Sequence, residues 1–583
     1  MKKLIKGLSF MLALMLVVGS FAGCAKKETT ADPVQEKKQE ANEEVKKAIL
    51  VTSFGTSYAD TRKVTIDAVE EKIAKAFPDY EVRRAFTSEI IIKKLKERDN
   101  IHVDTVDEAM NKLKEEGYKE VIVQPLHIIP GAEYSDIKEE LRKYNDGTFG
   151  KFVLGRPILT YQKDYEKAVE ALKLQLPELK EGQAVVLMGH GTHHPANASY
   201  ADLQSVLDEH NLNVYVGTVE GYPEITDVIK KLKAKNIKEV TLMPYMVVAG
   251  DHAQNDMAGD EDDSWKTILK KEGFTVNTYL HGLGENAGYQ DIYVEHVKDA
   301  IDGNGEEIPM PVASEEKGNW QEGKKGMLVV SFGTSYADTR KVTIDAVEEK
   351  IAKAFPDYEV RRAFTSKIII KKLKERDNIF VDTPEEALSK MKEEGFEEVI
   401  VQPLHVIAGA EYDEVLNVVE KYKEKAFKKI VVGKPILYSP HDYKMAVEAL
   451  KEQLPKLGKD QAVVLMGHGT HHPANASYPC LQSAIDDEGL NVFVGTVEGY
   501  PEINDVIKKL KAKNIKEVTL MPYMVVAGDH AQNDMAGDED DSWKSILKKE
   551  GFTVNTYLHG LGENTKYQEI YLAHAKAAIE GEE

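Results

Sequence analysis

Along the chain, short β-branched apolar runs alternate with longer stretches whose apolar positions recur every three to four residues. Ala48 to Val51 reads as a strand, Thr61 to Phe77 as an amphipathic helix, and Glu81 to Phe86 as a strand again. That rhythm continues and predicts β-α-β units building parallel sheets. Helix ends are marked locally. Thr105 with Glu108 forms a capping box and Gly117 closes that helix, while Thr383-Pro384-Glu385-Glu386 places proline where a missing N–H is harmless.

The pattern is written more than once. Gly189-His190-Gly191-Thr192-His193-His194-Pro195 returns as Gly467-His468-Gly469-Thr470-His471-His472-Pro473, and 190 plus 278 is 468. Asp227 to Lys266 matches Asp505 to Lys544 residue for residue at the same offset. A period this long exceeds the roughly 20–50 residues of a solenoid unit, so each copy is a domain-sized module. Inside a module, Ala48 to Thr56 echoes Ala184 to Thr192, and Gln124-Pro125-Leu126-His127 echoes Met243-Pro244-Tyr245-Met246. Two related lobes per module are expected, with a cleft between them. The expected organisation is an export signal at 1–24, a tether at 25–46, modules at 47–302 and 326–583, and a linker at 303–325.

The start changes the picture. Lys2, Lys3 and Lys6 precede an apolar run from Leu8 to Val18, and Phe21-Ala22-Gly23-Cys24 resembles a bacterial lipobox. The apolar run is shorter than the ~20 residues a spanning helix needs. The expectation is an exported chain, held at a membrane only through a lipid on Cys24. Cys480 is the other cysteine and has Asp202 as its counterpart, so neither a disulfide framework nor a cysteine-rich zinc site is available. The net charge of -22 argues against nucleic acid or an anionic membrane surface as partner. Acidity otherwise serves solubility.

Three apolar runs in the C-terminal half of the first module end in His190, Glu220 and His252. Their spacing suits successive βα units, whose carboxyl ends share one edge of a parallel sheet, where ligands bind. His468, Glu498 and His530 repeat it. Two imidazoles and a carboxylate suit a divalent first-row metal with positions open for exchange. Histidine is also the natural proton acceptor near neutral pH. The bland alternative is that these histidines bond loop carbonyls.

Other polar residues leave choices open. His193 and His194 either bind metal or shape the loop around His190, and His127 and His405 either face the crevice or pack inside. Arg83 and Arg84 are candidates for ligand carboxylates, though neighbours on a strand point to opposite faces. The Asp260-Glu261-Asp262-Asp263 run either attracts cations or forms a solvated loop. No third glycine follows Gly189-x-Gly191, no P-loop lysine follows a glycine-rich turn, and Ser53 sits outside a nucleophile elbow.

Taken together, Ser-Phe-Gly-Thr-Ser, Met-Gly-His-Gly-Thr-x-His, Gly-Thr-Val-Glu-Gly-Tyr-Pro and Ala-Gly-Asp-His-Ala-x-Asn-Asp make the chain resemble the anaerobic cobalt chelatases of the CbiK type. The resemblance covers both modules. It implies two Rossmann-like lobes per module with a tetrapyrrole held between them, and Co2+ (alternatively Fe2+ or Ni2+) inserted into sirohydrochlorin in anaerobic cobalamin synthesis. It places the metal set on His190, Glu220 and His252 and again on His468, Glu498 and His530, with His190 and His468 as proton acceptors. The implied partners are a tetrapyrrole and a divalent metal, both as substrates, and no organic cofactor is implied. Relatives are mostly single cytoplasmic modules, so an exported tandem chain also fits a second reading: a tetrapyrrole- or metal-binding protein for uptake, without turnover.

Overall fold

The computed structural model describes residues 45–423 and 425–581. The segments expected to be an export signal with Cys24 and a tether lie, up to residue 44, outside the described residues. Among those described, no helix is long and apolar enough to cross a membrane.

Each module contains two four-stranded, all-parallel sheets. In the first module they comprise β1 (Lys47–Ser53), β2 (Glu81–Phe86), β3 (Glu120–Pro125) and β4 (Lys151–Leu154), then β5 (Gln183–Gly189), β6 (Val214–Thr218), β7 (Glu239–Pro244) and β8 (Thr275–Thr278). The orders are β2-β1-β3-β4 and β6-β5-β7-β8, one topology used twice, as the internal echo predicted. Central strands are covered on both faces, which is why Ala48, Ile49, Leu50 and Val51 form a continuous apolar run. The second module repeats the plan with β9 (Lys325–Ser331), β10 (Tyr358–Phe364), β11 (Glu398–Pro403), β12 (Lys429–Val432), β13 (Gln461–Gly467), β14 (Val492–Thr496), β15 (Glu517–Pro522) and β16 (Thr553–Thr556).

Local signals held where they were strong. Thr105 and Glu108 form the capping box, as do Thr383 and Glu386 with Pro384 in the first turn. The helix expected over Thr61 to Phe77 is instead two, Ala59–Val64 and Ile66–Ala76, broken at Thr65. Thr65 is fully buried, its Oγ1 donates to Thr61 O at 2.6 Å, and Gly284 packs against it too closely for a side chain there. A distant turn, together with a back-bonding threonine, overrides the periodicity.

An inner core holds the lobes together. Ile49 and Val51 of the first sheet share one apolar cluster with Val185 and Leu187 of the second, closed by Tyr289 and Tyr293 of the returning helix Ala287–Ile301. The Tyr289 hydroxyl donates to Ala168 O at 2.9 Å and lies 3.2 Å from the Tyr245 hydroxyl, from which it can accept, so the polar ends of buried rings are satisfied. Nearby, Arg156, Asp164 and His296 form a fully enclosed network, with Arg156 reaching Asp299 at its rim.

Residues 303–324 carry no regular element, but they are docked. Ile308 is buried in the first module's outer core, and the Trp320 indole donates to Ala426 O of the second at 2.8 Å. The modules themselves join through helices Ala198–Glu209 and Ser477–Asp487. Across this seam the Tyr222 hydroxyl donates to Asp487 at 2.6 Å, and its repeat partner Tyr500 donates to Glu209 at 2.5 Å.

Candidate metal centre and cleft

The carboxyl ends of β1, β3, β5, β6 and β7 face one another across a cavity of about 630 Å3, walled by both lobes of the first module. His190, Glu220 and His252 all line it. His190 follows β5 and Glu220 follows β6, while His252 opens a π-helical turn, Ala253–Met257, beyond β7. Such turns often mark functional sites.

The two imidazoles meet edge to face with ring centroids 4.8 Å apart, and the Glu220 carboxylate lies 4.0 Å from His190 Nδ1. His190 Nδ1 is 2.9 Å from Gly191 O and His252 Nδ1 is 2.5 Å from the Asp256 carboxylate. Nδ1 therefore serves as donor in both rings, which leaves each Nε2 lone pair free as ligand or base. The carboxylate behind His252 also fixes the orientation of its ring. His468 and His530 reproduce the pair at 4.8 Å, with His468 Nδ1 2.9 Å from Gly469 O and His530 Nδ1 2.5 Å from Asp534.

Backbone geometry ties the ligand-bearing loops together. Val219 and Glu220 both donate to His190 O, at 3.1 and 2.8 Å. Gly191 adopts φ +82°, and a Cβ there would sit 2.7 Å from Gly221 N and 2.9 Å from Glu220 C. Buried Asn197 clamps the same two loops, accepting from Thr192 N at 3.1 Å and donating to Tyr222 O at 2.7 Å. His190 and Glu220 are thus held by one stiff unit, although their tips are about half exposed.

Among the described residues, the group whose possible ligand atoms all lie within 4.8 Å of one another is a different one, His102, Asp104 and Glu108. Its members are already engaged: Lys112 holds Asp104 at 2.6 Å and Glu108 caps Thr105. Phe380 replaces His102 in the second copy.

The open alternatives resolve differently. His194 caps the Pro195–Asn197 turn, its Nδ1 accepting from Ala196 N at 3.2 Å. Burial lowers its pKa to about 4, against the opposing pull of Asp413, so it is neutral at pH 7 and shapes the loop. His472 does the same for Ala474 N at 3.1 Å. His127 lines the cleft with Nε2 3.0 Å from Glu133 and a buried, unpartnered Nδ1; His405 Nε2 lies 3.3 Å from Glu411. Arg83 and Arg84 do not serve ligand: Arg83 pairs with Glu81 and Glu116, and Arg84 with Asp67 and Glu70. In the acidic run, Asp260 and Asp262 are fully exposed and paired with Lys266 and Lys271, a solvated loop.

The structure adds an apolar platform that residue types alone do not announce. Phe54 and Ile90 line the cleft while remaining 52% and 77% exposed, and their repeats Phe332 and Ile368 are 50% and 79% exposed. Large apolar side chains held in the open beside a polar set fit a flat, largely apolar ligand. The duplicated Ser-Phe-Gly-Thr signal was visible in the sequence, but its exposure was not.

Fold and cleft define a two-lobed α/β protein of the tetrapyrrole chelatase class, present twice in one chain. The chain belongs to the cobalt chelatase (CbiK) family, which matches residues 47–302 and again 325–580. It is 43% identical over 256 residues to a sirohydrochlorin cobaltochelatase of Salmonella typhimurium, covering 44% of this chain and 97% of that one. It is 36% identical over 258 residues to sirohydrochlorin cobaltochelatase CbiKC of Nitratidesulfovibrio vulgaris, covering 44% and 91%. Among solved structures, SirB from Bacillus subtilis with Fe3+ aligns at 17% identity and a TM-score of 0.34, covering 45% of this chain and 99% of that one.

Proposed function

We propose that each module inserts Co2+ into sirohydrochlorin, as a step of anaerobic cobalamin synthesis. The observation that carries this is the cleft itself: a histidine pair with free Nε2 lone pairs and a half-exposed glutamate shares the first module's cleft with an apolar platform, and the histidine pair and the exposed apolar residues recur in the repeat. The macrocycle lies against Phe54 and Ile90. The metal is taken up by His190, Glu220 and His252, with Glu220 turning inward to complete the set, and in the second module by His468, Glu498 and His530. As the ion passes into the ring and frees Nε2, two pyrrole protons leave one after the other, and His190 or His468 accepts each in turn at Nε2, giving the first to solvent before taking the second. Fe2+ and Ni2+ are the competing ions such nitrogen and oxygen donors also accept.

The test follows the absorption change of sirohydrochlorin mixed with Co2+ and the full chain. His190→Ala should leave the second module's turnover, and His190→Ala with His468→Ala should abolish acceleration. Tight macrocycle binding without acceleration by the wild type would overturn the catalytic reading. It would instead favour an uptake protein, the reading supported by the export-type N-terminus. We propose that the chain is exported and anchored through Cys24.

A further inference from the structure

The loops that carry the metal-binding side chains are also the loops that reach across the seam between the modules. In the first module the glutamate loop is closed on itself, because Thr218 donates to Pro223 O from its N at 2.7 Å and from its Oγ1 at 3.1 Å. Glu220 faces the cleft from this closed turn, while the Tyr222 ring is buried in the seam. There its hydroxyl donates to the Asp487 carboxylate of the second module at 2.6 Å and lies 3.2 Å from Ser483 Oγ. Lys231 backs the pair, 3.3 Å from Ser483 Oγ and 3.8 Å from Asp487. The turn's other anchor is Asn197, which donates to Tyr222 O at 2.7 Å and sits in the short turn Pro195–Asn197. That short turn packs on its own repeat, Pro473–Ala476, across the seam.

The arrangement is reciprocal. Tyr500 is Tyr222 displaced by 278 positions and Asp487 is Glu209 displaced likewise, so Tyr500 donating to Glu209 at 2.5 Å is the same contact with the modules exchanged. Thr496 repeats the closure at 2.7 Å to Pro501 O, and Asn475 repeats the anchor at 2.7 Å to Tyr500 O. Exchange of partners in this way defines a two-fold, isologous interface, here built within one chain. Local structure does not explain the two acids. Glu209 and Asp487 are the last residues of helices Ala198–Glu209 and Ser477–Asp487, where a negative charge opposes the helix dipole. The sequence beyond has drifted, Glu209-His210-Asn211 in one copy against Asp487-Glu488-Gly489 in the other, yet both keep a carboxylate at this position. The partners of the Asp487 carboxylate, Tyr222 and Lys231, both belong to the first module.

We propose that Asp487 and Glu209 are positioning residues that act across the seam, each fixing the tyrosine of the opposite module's glutamate loop and so setting the reach of Glu220 or Glu498 toward its histidine pair. A buried hydroxyl that loses its acceptor is left unsatisfied, and the closed turn moves as one body to repair it. Each cleft is therefore complete only with the other module in place. The consequence for turnover rests on the chelatase reading; the anchoring itself is read out in metal affinity.

The test uses the full chain in a background of His468→Ala with His530→Ala, where the first cleft alone keeps its set. Asp487→Ala should raise KM for Co2+ about tenfold, the lower end for groups that orient metal ligands, with KM for sirohydrochlorin unchanged. Co2+ affinity, titrated through the cobalt absorption bands, should fall by the same factor. Asp487→Asn keeps an oxygen acceptor for Tyr222 and should retain the background values. Tyr222→Phe removes the donor without stranding it and should reproduce the loss, which decides the matter if Asp487→Ala does not fold. In the converse background, His190→Ala with His252→Ala, Glu209→Ala should weaken the second cleft and Asp487→Ala should not. A folded Asp487→Ala or Tyr222→Phe chain with background Co2+ affinity overturns the proposal, as does equal weakening of both clefts by Asp487→Ala. Failure of the chelatase reading is seen separately, as no cobalt insertion by the background chain while the affinity difference persists.

Discussion

Gly191 and Gly469 join the histidine loop to the glutamate loop, and replacing both by alanine is the most informative perturbation of the site. Gly191 adopts φ +82° and Gly469 φ +77°, a region where an alanine costs about 1–2 kcal/mol. The new Cβ would also press on backbone, 2.7 Å from Gly221 N in the first module and 2.7 Å from Gly499 N in the second. Backbone cannot yield as a side-chain tip does, so the loops must part. That stretches the Glu220 N–H to His190 O bond, now 2.8 Å, worth about 0.5–1.5 kcal/mol. The sum is about 1.5–3.5 kcal/mol of local strain in each module, below the ~5–15 kcal/mol that holds a typical domain together, so the modules stay folded. Displacing catalytic groups by ~1 Å can cost ~100-fold in rate. The assay is cobalt insertion by absorption, with thermal unfolding followed by circular dichroism on the same samples. Gly191→Ala with Gly469→Ala should be folded, with turnover reduced by about two orders of magnitude and Co2+ affinity reduced with it. A folded double variant working at the wild-type rate would refute the coupling of the two loops.

Asp164→Asn should destabilise the first module by about 3–5 kcal/mol, because Arg156 is left buried without its main partner. Burial alone would raise the Asp164 carboxyl, but hydrogen bonds from His296 and Arg156 outweigh it and hold it at about 2. The folded value lies below the unfolded one of about 3.9, so the contribution, about 2–3 kcal/mol, is present above pH ~4 and lost as pH falls toward 2. An acid titration of unfolding checks this. Asp256→Ala with Asp534→Ala removes the carboxylates behind His252 and His530, and should weaken Co2+ binding by about 10–100-fold without changing the melting temperature. Cys24→Ser should abolish labelling of the chain by a radioactive fatty acid in an exporting bacterial host; labelling that persists would place the lipid elsewhere.

Much of this was legible because parallel sheets fed by βα units convert sequence spacing into position. Once His190, Glu220 and His252 end successive strands, their meeting at one edge follows from topology. The internal echo likewise foretold two lobes, since related apolar patterns build the same β2-β1-β3-β4 order twice. What escaped depended on partners far away in the chain. Arg83 and Arg84 looked available for ligand, yet Glu116 and Glu70 claim them, and no local pattern announces that. Thr65 broke a periodic helix because Gly284 packs on it.

By itself, the sequence determined the duplicated modules, the parallel α/β class, and which residue types stand at the strand ends, because hydrophobic periodicity and repeat register are local or translational properties. Tertiary structure alone decided which nitrogen each histidine presents, through Gly191 O and Asp256, and that Phe54 and Ile90 remain exposed in the cleft. It also decided that Asp202, an ordinary helix residue by pattern, is enclosed where two modules meet. Burial and protonation depend on what packs from elsewhere in the chain, and that is settled only when the lobes and modules come together.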